Sequence, residues 1–306
     1  MIYRVLSVGW TLSVLVLLSP TPVAGQTTES LPQTPWGHPD LQGTWTNSTT
    51  TPMERPADLK GKEFFTEEER ATLNPDSGIS TENPSVIMPT GAYNDFWLEK
   101  GELSIRTSLI VDPPDGRYPP LTPEAAQRRM EQRGSFANGG FGSWEDFSTY
   151  DRCLTRGMPG AMSPGFYNHN YQILQTPDYV AILVEMIHDA RIIPLDGRAH
   201  LSPTAAQWLG DSRGHWDGNT LVIETTNLPA SDRLIVERLT RLDTETIDYR
   251  VTVTDPAEWT DPWTSVMPMS AIEGPLFEYA CHEGNYAVQN MLAGSRAEER
   301  TAAQGK

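Results

Sequence analysis

Basic residues and cysteines are scarce in this sequence. Its 306 residues include 23 Lys and Arg against 40 Asp and Glu, which gives a formal net charge of −17. Nucleic-acid binding depends on basic side chains that neutralise phosphates, so we expect no nucleic-acid partner. The only two cysteines, Cys153 and Cys281, exclude a disulfide-rich scaffold and a paired C-x-x-C metal motif.

Long apolar runs are missing as well. A transmembrane helix needs about 20 apolar residues, and the longest apolar run, Val5 to Leu18, is shorter and interrupted by polar residues. It follows the basic Arg4 and precedes a Pro-containing break and the small residues Val23-Ala24-Gly25, an order typical of a secretory signal peptide. We therefore expect residues 1–25 to be removed on export, a periplasmic or secreted location, and no membrane span.

The common catalytic signatures are absent too. The chain contains no G-x-S-x-G, no H-E-x-x-H and no phosphate-binding loop, which argues against the enzyme classes that these motifs mark. An active site would have to be assembled from residues far apart in sequence. No organic cofactor is expected.

The two cysteines that are present predict one disulfide, because an exported protein meets an oxidising environment. Closing the separation of 128 residues between Cys153 and Cys281 would contribute about 4–5 kcal/mol on the chain-entropy model. The bond would tie the middle of the chain to its last predicted strand. Two buried thiols are the alternative.

Short β-type segments separated by turns recur from residue 171 onward, after isolated ones earlier in the chain. The sequence predicts a mainly β fold, an antiparallel meander that closes into a barrel-like domain of the lipocalin or calycin type. Residues 26–294 are predicted to be a single domain, rich in loops and short helices over 26–170 and with the main sheet over 171–294, and 295–306 a flexible tail. The main predicted strands are Leu41–Asn47, Leu103–Val111, Tyr171–Gln175, Tyr179–Ile187, Ala190–Pro194, Thr220–Asn227, Leu234–Leu242, Thr246–Thr254, Ser265–Met269 and Leu276–His282.

Capping patterns predict two short helices before the sheet. Thr66 and Glu69 form a capping box, and Thr122 precedes Pro123 as an N-cap precedes a first helical residue. Residues 134–170 are rich in Gly, Asn and aromatics, and we interpret them as an ordered loop packed on the barrel.

One short pattern occurs twice. Asp115-Gly-Arg117 is followed by Leu121-Thr-Pro123, and Asp196-Gly-Arg198 is followed by Leu201-Ser-Pro203. The repetition predicts two similar corners, in each of which a strand enters a turn and a capped helix follows.

Polar residues in or beside apolar strands are the candidate catalytic groups: His188, His282, Glu185, Glu278, Arg191 and His215. Histidine titrates near neutral pH and a neighbouring carboxylate fixes its tautomer, so His188 or His282 is predicted to be the acid–base residue. Glu185 or Glu278 would orient it. Arg191 would hold an anion or an oxyanion.

The same histidines allow other interpretations. If His188, His215 and His282 converge, they would also suit a divalent metal such as Zn or Cu. Alternatively, each is a strand-edge residue with its hydrogen bonds satisfied. The strand carboxylates Glu185, Glu224 and Glu237 are alternatively interpreted as part of the solvated face of the sheet.

Several longer segments together resemble a large family of secreted bacterial proteins with no established activity. They are Pro39-Asp-Leu-Gln-Gly-Thr-Trp45, Arg106 to Arg117, Glu185 to Arg198, Gly214 to Thr226 and Tyr279-Ala-Cys-His-Glu-Gly-Asn285. The resemblance covers most of the mature chain and implies a single domain, but it carries over no catalytic residue and no substrate. Gly43-Thr-Trp45 is in addition similar to the G-x-W at the first strand of lipocalin-like barrels, although a long non-strand segment follows it here.

These features favour an exported enzyme without an organic cofactor that acts on a small, partly apolar molecule by acid–base chemistry, as a lyase, isomerase or hydrolase. One alternative is a non-catalytic, lipocalin-like binding protein for a small hydrophobic ligand. Another is a structural envelope protein, in which the His and Glu residues would be scattered. The pattern favours no particular oligomeric state.

The signal-peptide prediction can be tested by mass. When the full chain is produced with its own leader in a secreting bacterial host, the exported protein should begin near Gln26, because signal peptidase cleaves after small residues. N-terminal sequencing and intact mass measure the cleavage site. A product that keeps Met1 and stays with the membrane fraction would contradict the prediction.

Overall fold

Buried and more exposed residues alternate along the segments that form the sheet. In a computed structural model of the protein, the described residues are 31–73, 99, 101–131, 140–165 and 167–304, so the predicted signal peptide lies outside them. Along residues 246–254, for example, Ile247, Tyr249 and Val251 are buried while the residues between them are more exposed. This period of two is the period of a strand with one buried face.

The strands are numbered in chain order. They are β1 (Gly43–Thr46), β2 (Ile110–Asp112), β3 (Asn170–Gln175), β4 (Tyr179–Val184), β5 (Ala190–Pro194), β6 (Asp211–Asp217), β7 (Thr220–Thr226), β8 (Leu234–Arg241), β9 (Thr246–Thr254), β10 (Trp263–Val266) and β11 (Met269–Ala271). The α-helices are α1 (Glu67–Thr72), α2 (Pro123–Glu131) and α3 (Ala287–Gln304), and short 3₁₀ turns lie at Ala57–Leu59, Trp144–Asp146, Gly160–Met162 and Met186–His188.

These strands form one 11-stranded antiparallel sheet that is nearly closed into a barrel. Its main path runs in the order β5-β4-β3-β1-β11-β9-β8-β7-β6, and β10 pairs with both β9 and β2. The mainly β, barrel-like prediction is therefore confirmed. The chain from Leu31 onward groups into one compact unit.

The sheet is two meanders rather than one. Strands β3 to β5 and strands β6 to β9 each follow one another, but β1 and β11 lie between these two groups. Trp45 of β1 faces Tyr171 of β3 on one side and Ala271 of β11 on the other. The early strand that contains the G-x-W pattern is thus central to the sheet, and its indole is buried in the core.

The barrel has a seam between β5 and β6. The main path contains nine strands, and because each neighbour is antiparallel, its first and last strands run in the same direction. The two strands contact each other without belonging to one hydrogen-bonded ladder. At the seam, a Cβ on Gly214 would lie 2.7 Å from Leu195 and 2.9 Å from Ile193, so only glycine allows this close approach.

A buried polar network spans the seam from inside the barrel. Arg191 of β5 forms a bidentate pair with Glu237 of β8, with Nη1 at 2.9 Å from Oε1, and its Nη2 also donates to Ser212 of β6 and Thr225 of β7 at 3.3 Å. The Tyr249 hydroxyl of β9 donates to Glu237. Both charged side chains are essentially inaccessible to solvent.

The environment sets the protonation of this network. Burial alone would lower the pKa of Arg191, but the adjacent Glu237 carboxylate raises it above its ordinary value. Burial, together with the Glu237 charge, raises the pKa of Tyr249 well above 10.0. The interpretation of Glu185 and Glu237 as part of the solvated face is wrong. Glu185 is buried, and Glu237 alternates with the buried Ile235 and Leu239 of β8.

Two predicted strands are absent or shortened because side chains occupy their backbone groups. Of Leu103–Val111, only the last residues join β2, and the N–H groups of Ser104 and Arg106 donate to the hydroxyls of Thr51 and Ser104. Leu276–His282 is not a strand at all. The N–H of Phe277 donates to the Glu185 carboxylate instead of to a neighbouring strand.

The helix predictions have mixed outcomes. Thr66 forms the predicted capping box with Glu69 at α1, and Thr122 accepts from the Ala125 N–H at the start of α2. The second predicted corner has no helix, because the chain after Pro203 forms turns up to β6. Residues up to Gln304, where a flexible tail is predicted, lie in α3.

The seam network makes a stability prediction. Arg191→Met leaves the Glu237 carboxylate buried without a counter-charge, so the free energy of unfolding should fall by about 3–5 kcal/mol. Glu237→Leu should cost a similar amount. In the double variant both charges are gone, and the loss should be far smaller than the sum of the single losses. Urea unfolding of the three variants measures this coupling, and strictly additive losses would contradict it.

Candidate functional site

Backbone strain is concentrated where β4 connects to β5, in residues 185–189, which we name the β4–β5 turn. Ile187 has φ 64° and the next residue, His188, has φ 47°. Left-handed backbone is costly for any residue except glycine, and most of all for a β-branched one. Such strain persists only where surrounding contacts impose it, and it is often found at functional sites.

The imidazole of His188 is oriented by a backbone carbonyl. Its Nδ1 lies 3.1 Å from the Tyr279 carbonyl oxygen. Because a carbonyl only accepts hydrogen bonds, Nδ1 carries the proton and Nε2 holds a lone pair in the neutral ring. The side chain is exposed, so Nε2 is free to meet a small molecule as a base with a fixed tautomer.

The segment that supplies this carbonyl is Phe277–Cys281, here named the strap. Glu185 is 2% exposed and accepts from the Phe277 N–H at 2.9 Å and from Asn170 Nδ2 at 2.7 Å. At its other end the strap is held by the disulfide between Cys281 and Cys153. The Tyr279 carbonyl is therefore fixed from both sides.

The disulfide confirms the prediction made from the two cysteines. The Cα atoms of Cys153 and Cys281 are 5.7 Å apart, and Asn285 Nδ2 donates to Cys153 Sγ at 3.3 Å. The bond joins the strap to the aromatic-rich loop, whose Phe141, Phe147 and Met162 are buried. The prediction that this loop is ordered and packed is confirmed for residues 140–165.

Asp189, the last residue of the β4–β5 turn, lines a cleft of about 450 Å³ at the seam, here named the seam cleft. Its Oδ2 accepts from the buried Thr155 hydroxyl at 3.1 Å. Burial raises the pKa of the Asp189 carboxyl, although the Thr155 hydrogen bond and the His188 charge act in the opposite direction. Arg191 and Ser212 of the seam network also line this cleft.

A second cleft of about 530 Å³, here named the loop cleft, shares Trp208 and contains Thr155 in its wall. Trp208 is 50% exposed. Two features fix the turn that contains Trp208. The Gln207 N–H donates to the Asn227 carbonyl. Gly210 has φ +74°, and a Cβ there would lie 2.6 Å from Thr226. Trp208 therefore stands at the border of the two clefts.

A buried histidine supports the loop from below. The His169 Nδ1 lies 2.8 Å from the Ser163 carbonyl and its Nε2 lies 2.8 Å from Arg156 Nη1. Burial, assisted by the Arg156 charge, lowers the pKa of His169 to about 4. The ring is therefore neutral at physiological pH, donates through Nδ1 and accepts through Nε2. It packs so closely on Gly165 that a Cβ there would overlap it.

The predicted site residues do not all meet. Glu185 and His188 contact the same strap, which also contains Glu278 and ends beside His282. Both Glu278 and His282 are exposed, and neither takes part in the hydrogen bonds that hold the strap. Arg191 faces the barrel interior and already has four hydrogen bonds, an arrangement that differs from the predicted anion holder.

His215 lies away from the β4–β5 turn. It belongs to β6, and it lines neither the seam cleft nor the cleft beside it. Within the described ranges, no three His, Cys, Asp or Glu side chains are grouped as a metal site. No helix in those ranges is long and apolar enough to cross a membrane.

Sequence reasoning missed three contributors to the clefts: Asp189, Thr155 and Trp208. Asp189 is next to His188 in sequence, so its ionisable side chain was visible there. Thr155 and Trp208 lie in loops without periodicity, where nothing in the sequence indicated an approach to β5. Searches with protein-family models, curated proteins and solved structures found no match for the chain.

The raised pKa of Asp189 predicts a stabilising substitution. A carboxyl whose folded-state pKa is raised contributes stability that is fully present below its unfolded pKa and lost as the pH rises through the folded value. Asp189→Asn, which can still accept from Thr155, should therefore raise Tm at pH 7 but not at pH 3. The exposed Asp178→Asn is the control. A lower Tm for Asp189→Asn at pH 7 would contradict the prediction.

Proposed function

We propose that the protein is an exported enzyme that acts on a small, partly apolar molecule by proton transfer, without an organic cofactor. His188 is the acid–base residue and Asp189 is its partner in the seam cleft. The observation that carries the proposal is the strained β4–β5 turn, which presents an exposed imidazole whose tautomer is fixed by the Tyr279 carbonyl.

The geometry supports proton transfer because His188 can accept a proton and Asp189 can donate one. His188 Nε2 holds a lone pair and can accept a proton. Asp189, with its raised pKa, retains a proton more readily than an ordinary aspartate and can donate one. Their charges are coupled, since a positive His188 favours ionised Asp189. Lyase, isomerase and hydrolase reactions can each be run by such a pair.

Glu185 is a positioning residue in this proposal. It binds the Phe277 N–H and so holds the strap whose carbonyl orients His188. This is an indirect form of the orienting role predicted from the sequence. Arg191 acts on the site through structure, because its pairing with Glu237 holds β5 directly after the turn.

A non-catalytic binding protein is the second candidate. The half-exposed Trp208 between two clefts favours it, since an aromatic surface beside polar groups would hold a ligand equally well without chemistry. The two candidates differ in whether a bound molecule is converted. The disulfide supports the proposed periplasmic or secreted location for either one.

Substitution of His188 tests the enzyme proposal. We expect the purified mature protein to convert at least one member of a panel of neutral esters, glycosides, epimerisable and β-eliminable compounds. His188→Gln should lower kcat by at least about 100-fold, the usual contribution of a general acid–base residue. Glu185→Gln should lower kcat less. His215→Gln and His282→Gln are matched controls that should keep wild-type kcat.

Circular dichroism and thermal unfolding check that each variant is folded. If His188→Gln keeps wild-type kcat, the acid–base assignment is wrong. If the wild-type protein binds compounds from the panel but converts none, the binding-protein candidate is supported instead.

A further inference from the structure

We infer that the seam cleft and the loop cleft together form one groove for a neutral saccharide, with Trp208 as the stacking surface between them. This inference deepens the proposed function, because it names the substrate class of the same site. It rests on the wall that the two clefts share, on the pairing of the charges in the loop cleft and on the mixture of apolar and polar groups in the walls.

The two clefts are neighbours that share part of their walls. Trp208 lines both of them. Thr155 lines the loop cleft, and its hydroxyl donates to Asp189, which lines the seam cleft. Each volume, about 450 and about 530 Å³, is within the range of small-molecule sites. A ligand longer than one ring would therefore occupy both clefts and cross the indole.

The charges in the loop cleft are already paired. Asp255 binds Arg233 at 2.8 Å, and Glu258 binds Arg128 at 3.3 Å and Arg129 at 2.6 Å. A charged ligand would have to compete with an existing ion pair for its partner, whereas an uncharged ligand would not. The net charge of −17 further disfavours an anion through long-range repulsion.

A purely apolar ligand does not fit either. It would desolvate the ion pairs Arg233–Asp255 and Arg128–Glu258 without offering hydrogen bonds in return, which is costly. The wall nevertheless includes apolar side chains, such as Met158 and Leu228, beside Trp208. The groove therefore suits a neutral molecule that has both an apolar face and many hydroxyl groups.

Saccharides have this combination. The C–H face of a pyranose ring stacks on an indole, which is large, rigid and apolar on its face. Each sugar hydroxyl both donates and accepts, so it can bind a carboxylate and a guanidinium that are already paired with each other. Trp208 would take the ring face, and the Arg233–Asp255 pair would take hydroxyls in the loop cleft. The ring in the seam cleft would then lie beside Asp189.

The test is binding rather than turnover. Titration calorimetry and saturation-transfer NMR are carried out on the mature protein with neutral trisaccharides (β-1,4- and α-1,4-linked glucose, β-1,4-linked N-acetylglucosamine, xylose and mannose). Two further probes represent the ligand classes that the groove does not suit. Trigalacturonate is an anionic saccharide, and N-phenyl-1-naphthylamine is an uncharged apolar compound. At least one neutral trisaccharide should bind, and more tightly than trigalacturonate or the apolar probe.

Trp208→Ala should weaken that binding by about tenfold or more, and Trp208→Phe by less, because it keeps an aromatic face. Trp144→Ala, which removes another exposed indole that lines neither cleft, should bind as the wild type does. Failure of every neutral trisaccharide to bind, or unchanged affinity in Trp208→Ala, overturns the inference.

The outcomes separate this inference from the proposed function. Saccharide binding that depends on Trp208, without conversion of any compound, supports the inference and contradicts the enzyme proposal. The opposite result is that the protein binds no saccharide but converts another compound, and that His188→Gln abolishes this conversion. It supports the enzyme proposal and overturns the inference.

Discussion

Arg191 and Glu237 lie inside the barrel, where either charge alone would cost several kcal/mol of lost hydration. Their pairing has a geometric origin. Nine antiparallel strands in the main path leave β5 and β6 parallel at the seam, so the antiparallel ladder that joins the other strands cannot continue across it. Side chains from β5, β6, β7 and β8 meet around Arg191 in place of that ladder. The seam therefore brings a buried guanidinium and a buried carboxylate together, and a change that removes one of the two charges must also remove the other.

The same pair fixes the position of the β4–β5 turn. Arg191 follows Asp189 by two residues, so the end of the turn moves with the anchored strand. The turn must bring β4 back into β5 over a few residues, which forces Ile187 and His188 into left-handed backbone. Hydrogen bonds from Glu185 and His188 to the strap offset that strain, and the disulfide keeps the strap in reach. The strain, the strap and the cleft are thus consequences of how the seam closes.

Residue alternation and turn chemistry predicted most strands of the second half and the two capped helices, but not β6. The disulfide was predicted from the oxidising environment expected for an exported protein. The residue alternation also contained a signal that Glu237 is buried, since Glu237 alternates with Ile235 and Leu239. What could not be predicted is which charged residue would meet it, because Arg191 is 46 positions away and only the closure of the seam brings the two together. The strap was misread for a related reason. Leu276–His282 has the composition of a strand, but its hydrogen bonds go to Glu185 and His188, and such partners follow from tertiary structure.

The side chains buried inside the barrel bear on where the proposed ligand would bind. Trp45, Tyr171 and Tyr249 are fully buried among aliphatic side chains, and the Arg191–Glu237 pair lies with them. A cup-shaped ligand cavity inside a barrel needs the space that these side chains occupy. The seam offers another solution, because the missing ladder leaves room at the surface for a cleft whose floor is the buried network and whose rim is the strained turn. The proposed site therefore lies on the outside of the barrel, where the loops that carry Thr155 and Trp208 form part of its walls.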